Sequence, residues 1–161
     1  MLRLATEQDF DLLYYLYMHP AINRWLLYED MPREAFRPIA MELIQRSALY
    51  VFEAEGEALA MCKLVPQKYR NSHIIYLGGV AVDPVRQGQG IGVRMLAAVI
   101  AECRRRGCTR IELTVSVDNP RAIRLYESVG FVSEGILKNY CYLAKEGRYM
   151  DEQVMALLLT R

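Results

Sequence analysis

One run of residues constrains the fold more than any other: Ile74–Val82 carries no charge and is apolar at nearly every position. It is short for a core helix and is closed by Asp83-Pro84, so it reads as a buried strand. Gly78 and Gly79 inside it predict a bulge or a close approach by another backbone or a ligand. Gly88, Gly90 and Gly92 then fall within five positions. After them the apolar spacing becomes helical, over residues 90–106. Arg104, Arg105 and Arg106 suit the negative end of that helix, and Gly107 suits a left-handed cap.

The rest of the chain alternates between two periods. Residues 1–5 predict a short strand. Thr6 offers an N-cap with Asp9 as acidic partner three positions on, and Phe10, Leu13, Tyr14, Tyr17 and Met18 recur at helical spacing until Pro20 ends the helix. Trp25, Leu26 and Leu27 form an apolar knot, and a second helix over 33–46 carries Pro38 inside it at a cost. Residues 48–53 and 58–65 are strands around the turn Glu55-Gly56-Glu57. Over 110–117, Ile111, Leu113, Val115 and Val117 take one face, and Glu112, Thr114 and Ser116 take the other. Asn119 suits an N-cap and Pro120 the first helical position of a short helix that ends at Gly130. Strands over 131–143 and 149–159 flank the turn Lys145-Glu146-Gly147. The sum is a mixed sheet flanked by helices.

Length and composition narrow the class. A chain of 161 residues, 53% apolar and 24% charged, has the size and composition of one globular domain, here residues 1–161. A net charge of +1 argues against a nucleic-acid partner. Cys62, Cys103, Cys108 and Cys141 form no C-x-x-C pair and stand far from His19 and His73, so no metal site and no disulfide framework is expected. The N-terminus has no apolar run of signal length, and the longest apolar stretch, 95–101, falls far short of the ~18 residues of a membrane span. A cytoplasmic protein with no membrane partner is the expectation.

The glycine loop joins a strand to a helix, so its free N–H groups and the helix N-terminus form an anion site suited to a pyrophosphate. Glycine content alone is equally that of a flexible surface turn. A P-loop would need Gly-Lys-Ser/Thr where the chain has Gly90-Ile91-Gly92-Val93. A dinucleotide loop would need a third glycine at Val93 and alternating parallel units, which the hairpin over 48–65 contradicts. Gln87, Gly90 and Gly92 fit the pattern Q/R-x-x-G-x-G/A, and Asn119-Pro120-Arg121-Ala122 with Leu125-Tyr126-Glu127-Ser128-Val129-Gly130-Phe131 fits N-x-x-A…Y-x-x-x-G-F. The 27 positions from Gly92 to Asn119 hold one helix and one strand. Together these blocks resemble the GNAT superfamily of N-acetyltransferases, closely over 76–134 and loosely elsewhere.

The resemblance implies an α+β fold of three layers, α/β/α. Its central sheet would be mixed and mostly antiparallel, with about six to seven strands and a splayed central pair, 74–82 and 110–117. It implies acetyl-CoA as cosubstrate, with the acetyl group moved to a primary amine by direct attack. Main-chain groups of Val80, Ala81 and Val82 would bind the pantetheine arm as an added strand does. Gln87, Gly88, Gln89, Gly90, Ile91, Gly92 and Val93 would hold the pyrophosphate, with Arg86 nearby. Asn119 would contact the cofactor arm while capping its helix. Tyr126 would protonate the leaving thiolate, and the Val80 N–H would stabilise the oxyanion. By period alone Tyr126 is a packing residue beside Ala122 and Val129. No glutamate lies on the strand 74–82, so the general base is open among His73, Tyr76, Glu112 and Glu134.

The acceptor amine is also open. The segment from Trp25 to Asp30 and the hairpin from Glu134 to Asp151 are expected to build its site. Glu29, Asp30 and Glu34 would suit a polyamine, Arg24 or Arg148 the carboxylate of an amino acid, and a protein N-terminus is a third class. A non-catalytic acyl-CoA sensor is the competing function. The apolar last strand, from Val154 on, suggests an edge that pairs into a homodimer, although it equally fits the sheet interior.

Overall fold

The computed structural model describes residues 1–159. The strands are β1 (Leu2–Leu4), β2 (Leu49–Ala54), β3 (Glu57–Pro66), β4 (Ile74–Val82), β5 (Arg110–Ser116), β6 (Val132–Leu143) and β7 (Arg148–Leu158). The α-helices are α1 (Phe10–Met18), α2 (Pro20–Asn23), α3 (Arg33–Gln45), α4 (Ile91–Arg105) and α5 (Pro120–Ser128). The seven strands form one mixed sheet in the order β1-β2-β3-β4-β5-β7-β6. Two compact units divide the chain, Met1–Val65 with Leu77–Val99, and Pro66–Tyr76 with Ile100 onward.

In the first unit the period rules hold closely. Thr6 and Asp9 close the expected cap: the Thr6 N–H donates to Asp9 Oδ2 at 2.7 Å, and the Asp9 N–H to the Thr6 carbonyl at 3.0 Å. Arg3 clamps the same carboxylate through two 2.8 Å bonds and reaches Glu53 on β2 at 2.6 Å. Helix α1 stops at Met18, before Pro20, but Pro20 then opens α2, where a proline costs nothing at the first position. Leu13, Leu16 and Tyr17 of α1 pack with Phe36 and Ala40 of α3 on Leu49, Val51, Met61 and Ala81. The strand residues of that core are odd-numbered, so one sheet face carries it. Each fully buried large side chain contributes about 1.5–3 kcal/mol. Pro38 lies inside α3 as expected, on its exposed side.

The knot at Trp25 lies at the margin of the core, against which Leu26 packs from a partly buried position. Leu27 is 73% exposed, and Arg24 stacks over the Trp25 ring at 4.5 Å. Asn23, unremarkable in sequence, holds the segment instead. Its Nδ2 donates to the carbonyls of Tyr17 (2.8 Å) and Tyr28 (3.0 Å).

In the second unit β7 pairs antiparallel with both β5 and β6. The last strand is therefore interior, and β6 is the edge; the suggestion that the last strand forms the edge is corrected. The alternation of β5 also ends one residue early. Ser116 is buried at 4% exposure and Val117 is 37% exposed, because the chain leaves the strand there and the Asp118 N–H bonds to Ser116 Oγ. The parallel ladder of β4 with β5 has three pairs, Ile74–Arg110, Ile75–Ile111 and Tyr76–Glu112, and stops there. A pair that joins at one end only is what the resemblance implied.

Candidate active site

The glycine loop is built from its ends inward. The Asp83 N–H donates to the Leu59 carbonyl at 2.8 Å, fixing the end of β4. The Asp83 carboxylate accepts from the Val85 N–H at 3.1 Å and caps a 3-10 turn over Pro84–Arg86. Gln87 Nε2 folds back to the Val82 carbonyl at 3.3 Å. Ile91, only 3% exposed, anchors the far end in α4. Between these anchors Gly88 (φ +82) and Gly90 (φ +75) hold left-handed backbone that only glycine adopts freely. Nothing lies within 4 Å of the Cβ that either position lacks. Conformation, not crowding, therefore requires glycine here. Gly88, Gln89 and Gly90 are exposed, and among the described residues their N–H groups reach no main-chain carbonyl. Donors left open at a helix start are what a phosphate needs, so the loop fits a pyrophosphate. Arg86 is already engaged, with Glu57 Oε2 at 2.6 Å. Val93 is 44% exposed on the first turn of α4.

Gly79 explains the paired glycines in β4. Its φ is +56, and the hydroxyl of Tyr17 lies 2.7 Å from where its Cβ would stand. The close approach there is made by a side chain of α1, not by the backbone or ligand that was expected. Val80, Ala81 and Val82 complete β4, with Ala81 buried in the core.

Val80 through Val93 belong to the first unit, and Asn119 and Tyr126 to the second. Asn119 caps α5: its Oδ1 accepts from the Ala122 N–H at 3.2 Å, which leaves its amide NH2 outside the cap. Tyr126 is 7% exposed, on the inward side of α5, with its ring 5.8 Å from that of Phe131. The packing role that its period implied is therefore realised.

Two of the suggested bases are spoken for. Arg110 donates to Glu134 at 2.9 and 2.5 Å and to Glu112 at 3.0 Å, and this pairing holds the Glu134 carboxyl below its ordinary range. His73 is exposed. Tyr76 is half-buried, with its hydroxyl 3.2 Å from Thr114 Oγ1 and its pKa raised by desolvation. A carboxylate that sequence reasoning missed is Glu152, buried on β7 at 7% exposure. Cys141 Sγ donates to it at 3.3 Å, and burial pushes that thiol up to about 11. Glu152 faces Ser116 across the ladder, on the side of β5 that also carries Thr114. The run Tyr149 to Met155 gave no period-2 signal that would set Glu152 inside. Among the described residues, no three His, Cys, Asp or Glu side chains gather as a metal site requires. Among them, too, no helix is long and apolar enough to cross a membrane.

A strand that pairs with its parallel neighbour over three residues only, followed by an open-donor glycine loop at a helix start, is the frame of the candidate site. The chain belongs to the acetyltransferase (GNAT) family, whose model matches residues 10–131. It is 37% identical over 140 residues to an L-amino acid N-acetyltransferase of Escherichia coli, covering 86% of this chain and 77% of that one. It is 43% identical over 81 residues to the E. coli ribosomal protein bS18-alanine N-acetyltransferase, a match that spans about half of each protein (50% and 53%). The structure of a ribosomal-protein-alanine N-acetyltransferase from Brucella melitensis superposes with a TM-score of 0.81 at 27% identity, covering 99% of both chains.

Proposed function

We propose that residues 1–161 act as one acetyltransferase domain that moves an acetyl group from acetyl-CoA to a primary amine. The observation that carries this reading is the row of open N–H donors over Gly88, Gln89 and Gly90 at the start of α4, in a chain of the GNAT family. When bound, acetyl-CoA supplies an activated thioester. Gln87 through Val93 bind its pyrophosphate through main-chain N–H groups. Val80, Ala81 and Val82 bind the pantetheine arm, and the Val80 N–H donates to the thioester oxygen. The Asn119 amide NH2, left over from its capping bond, donates to the same arm. Tyr126 gives its proton to the departing sulfur. The buried Glu152 carboxylate is our candidate to take the proton from the amine; the Tyr76 phenol, its pKa raised by desolvation, is held protonated.

The acceptor is a small amine or a protein N-terminus, in keeping with the amino acid and ribosomal-protein relatives. The reading places the enzyme in the cytoplasm, the compartment expected of a chain whose four cysteines form no C-x-x-C pair. It also makes the enzyme a homodimer. The edge strand β6 supports this, because Val132 and Tyr140 stand 60% and 56% exposed along it. Thiol release from acetyl-CoA across a panel of amines tests the central reading. Turnover with at least one amine is expected. Coenzyme A binding without turnover on any amine or peptide would instead favour a sensor.

A further inference from the structure

Glu152 is a buried carboxylate with a single support. Among the described residues no cation pairs with it, and its donor is the Cys141 thiol, with Sγ 3.3 Å from Oε1. A carboxylate out of water depends on such donors to hold its charge in place. Burial pushes the thiol up to about 11, so Cys141 keeps its proton and is a donor, not a nucleophile. Among the described residues nothing donates to the second oxygen, Oε2. That oxygen is not sealed in, because the Tyr17 hydroxyl is the one sealed side-chain polar atom without a partner among them. One oxygen of Glu152 is therefore held and the other is open.

The contact is made by a bulge in β6. Leu137 stands opposite Glu152 and Cys141 opposite Met150, so residues 138–140 of β6 face Asp151 alone. In an unbroken ladder Asn139 would be the diagonal neighbour of Glu152; the extra residues put Cys141 there instead. The bulge is fastened at its centre. The Asn139 N–H donates to Asp151 Oδ1 and Lys138 Nζ donates to Oδ2, both at 2.8 Å, and Asn139 takes a left-handed φ of +51. Across the ladder Glu152 faces Ser116 of β5, whose Oγ accepts from the Asp118 N–H at 3.1 Å. Thr114, on the same side of β5, is 3.2 Å from the Tyr76 hydroxyl. All of these residues belong to the second unit.

We propose that Cys141 is a positioning residue for acetyl transfer: its thiol fixes one oxygen of Glu152, so that the other is set to take the proton of the acceptor amine. This rests on the acetyltransferase reading above, with Glu152 as its base. As the amine nitrogen bonds to the acetyl carbon, its proton passes to Glu152 Oε2, and the thiol proton stays on Cys141 throughout. Without the S–H the carboxylate loses the group that fixes its rotation, and the open oxygen is no longer held in one place.

The test measures coenzyme A release from acetyl-CoA with the fastest amine of the panel. Cys141→Ala should lower kcat about tenfold, with KM for acetyl-CoA, coenzyme A affinity and Tm kept. Cys141→Ser, which keeps a donor at that position, should restore most of kcat. In a Glu152→Gln background Cys141→Ala should cost nothing more, because the group it positions is already gone. A second measurement needs no turnover. The infrared S–H stretch of Cys141, isolated as wild type minus Cys141→Ser, should lie below that of a free thiol and move up in Glu152→Gln, where the acceptor loses its charge. An unshifted S–H band overturns the proposal. So does a kcat that survives Cys141→Ala, or a loss that adds in full to that of Glu152→Gln, and these leave the transferase reading standing. Full turnover in Glu152→Gln overturns the base and the proposal together. Coenzyme A binding with no turnover on any acceptor overturns the transferase reading and the proposal with it.

Discussion

At Gly90 the main chain holds φ +75 with open space where a side chain would go. A substitution there costs conformation and nothing else. Gly90→Val should lower stability by about 1–2 kcal/mol, read as a fall in Tm, and should weaken coenzyme A binding as well. Gly90→Asn, which tolerates left-handed backbone, should cost less on both counts. Tyr126 carries a different expectation. Tyr126→Phe keeps the ring against Phe131 and removes only the hydroxyl, so kcat should fall on the order of 10²-fold while coenzyme A still binds. Unchanged kcat would remove Tyr126 from proton transfer. The turn that carries the proposed cofactor loop is legible in the sequence, because left-handed backbone at Gly88 and Gly90 leaves a glycine signature. Asn23 and Glu152 are not. Their significance lies in what stands, or fails to stand, around them after folding.

At the scale of elements, the entry to α1 depends on one charge. Asp9 is nearly buried and receives bonds from Arg3 and Thr6. Arg3 holds its carboxyl below the ordinary value of 3.8. The unfolded chain takes up that proton more readily, so the stabilisation is complete well above pH 3.8 and drains away as pH falls through the lowered folded value. Asp9→Asn should destabilise by about 1.5–3 kcal/mol at pH 7. The gap from wild type should shrink in acid, which melting curves at pH 7 and pH 3 would show. Helix α5 offers a second contrast. Asn119→Asp keeps an acceptor for the Ala122 N–H and loses the donor assigned to the cofactor arm. Its Tm should hold while KM for acetyl-CoA rises, and Asn119→Ala should lose about 1 kcal/mol of stability too. The elements themselves were largely legible from period and caps: α5 starts at Pro120 behind Asn119, as expected. Strand order was not, because period 2 marks a strand without naming its neighbours. β7 lies between β5 and β6 only because the hairpin folds back onto β5.

For the whole molecule, the exposed edge β6 makes the oligomeric state measurable. Light scattering on a size-exclusion column should give twice the mass of the 18.6 kDa chain, and Val132→Lys with Tyr140→Lys should return the monomer. A monomeric wild type would contradict the pairing without touching the chemistry. The chemistry has its own direct measurement, titration of the protein with coenzyme A in a calorimeter. Saturable heat at one molecule per chain, lost or much weakened in Gly90→Val, is the predicted result. An absence of heat with coenzyme A and acetyl-CoA alike, from protein shown to be folded, would contradict the account.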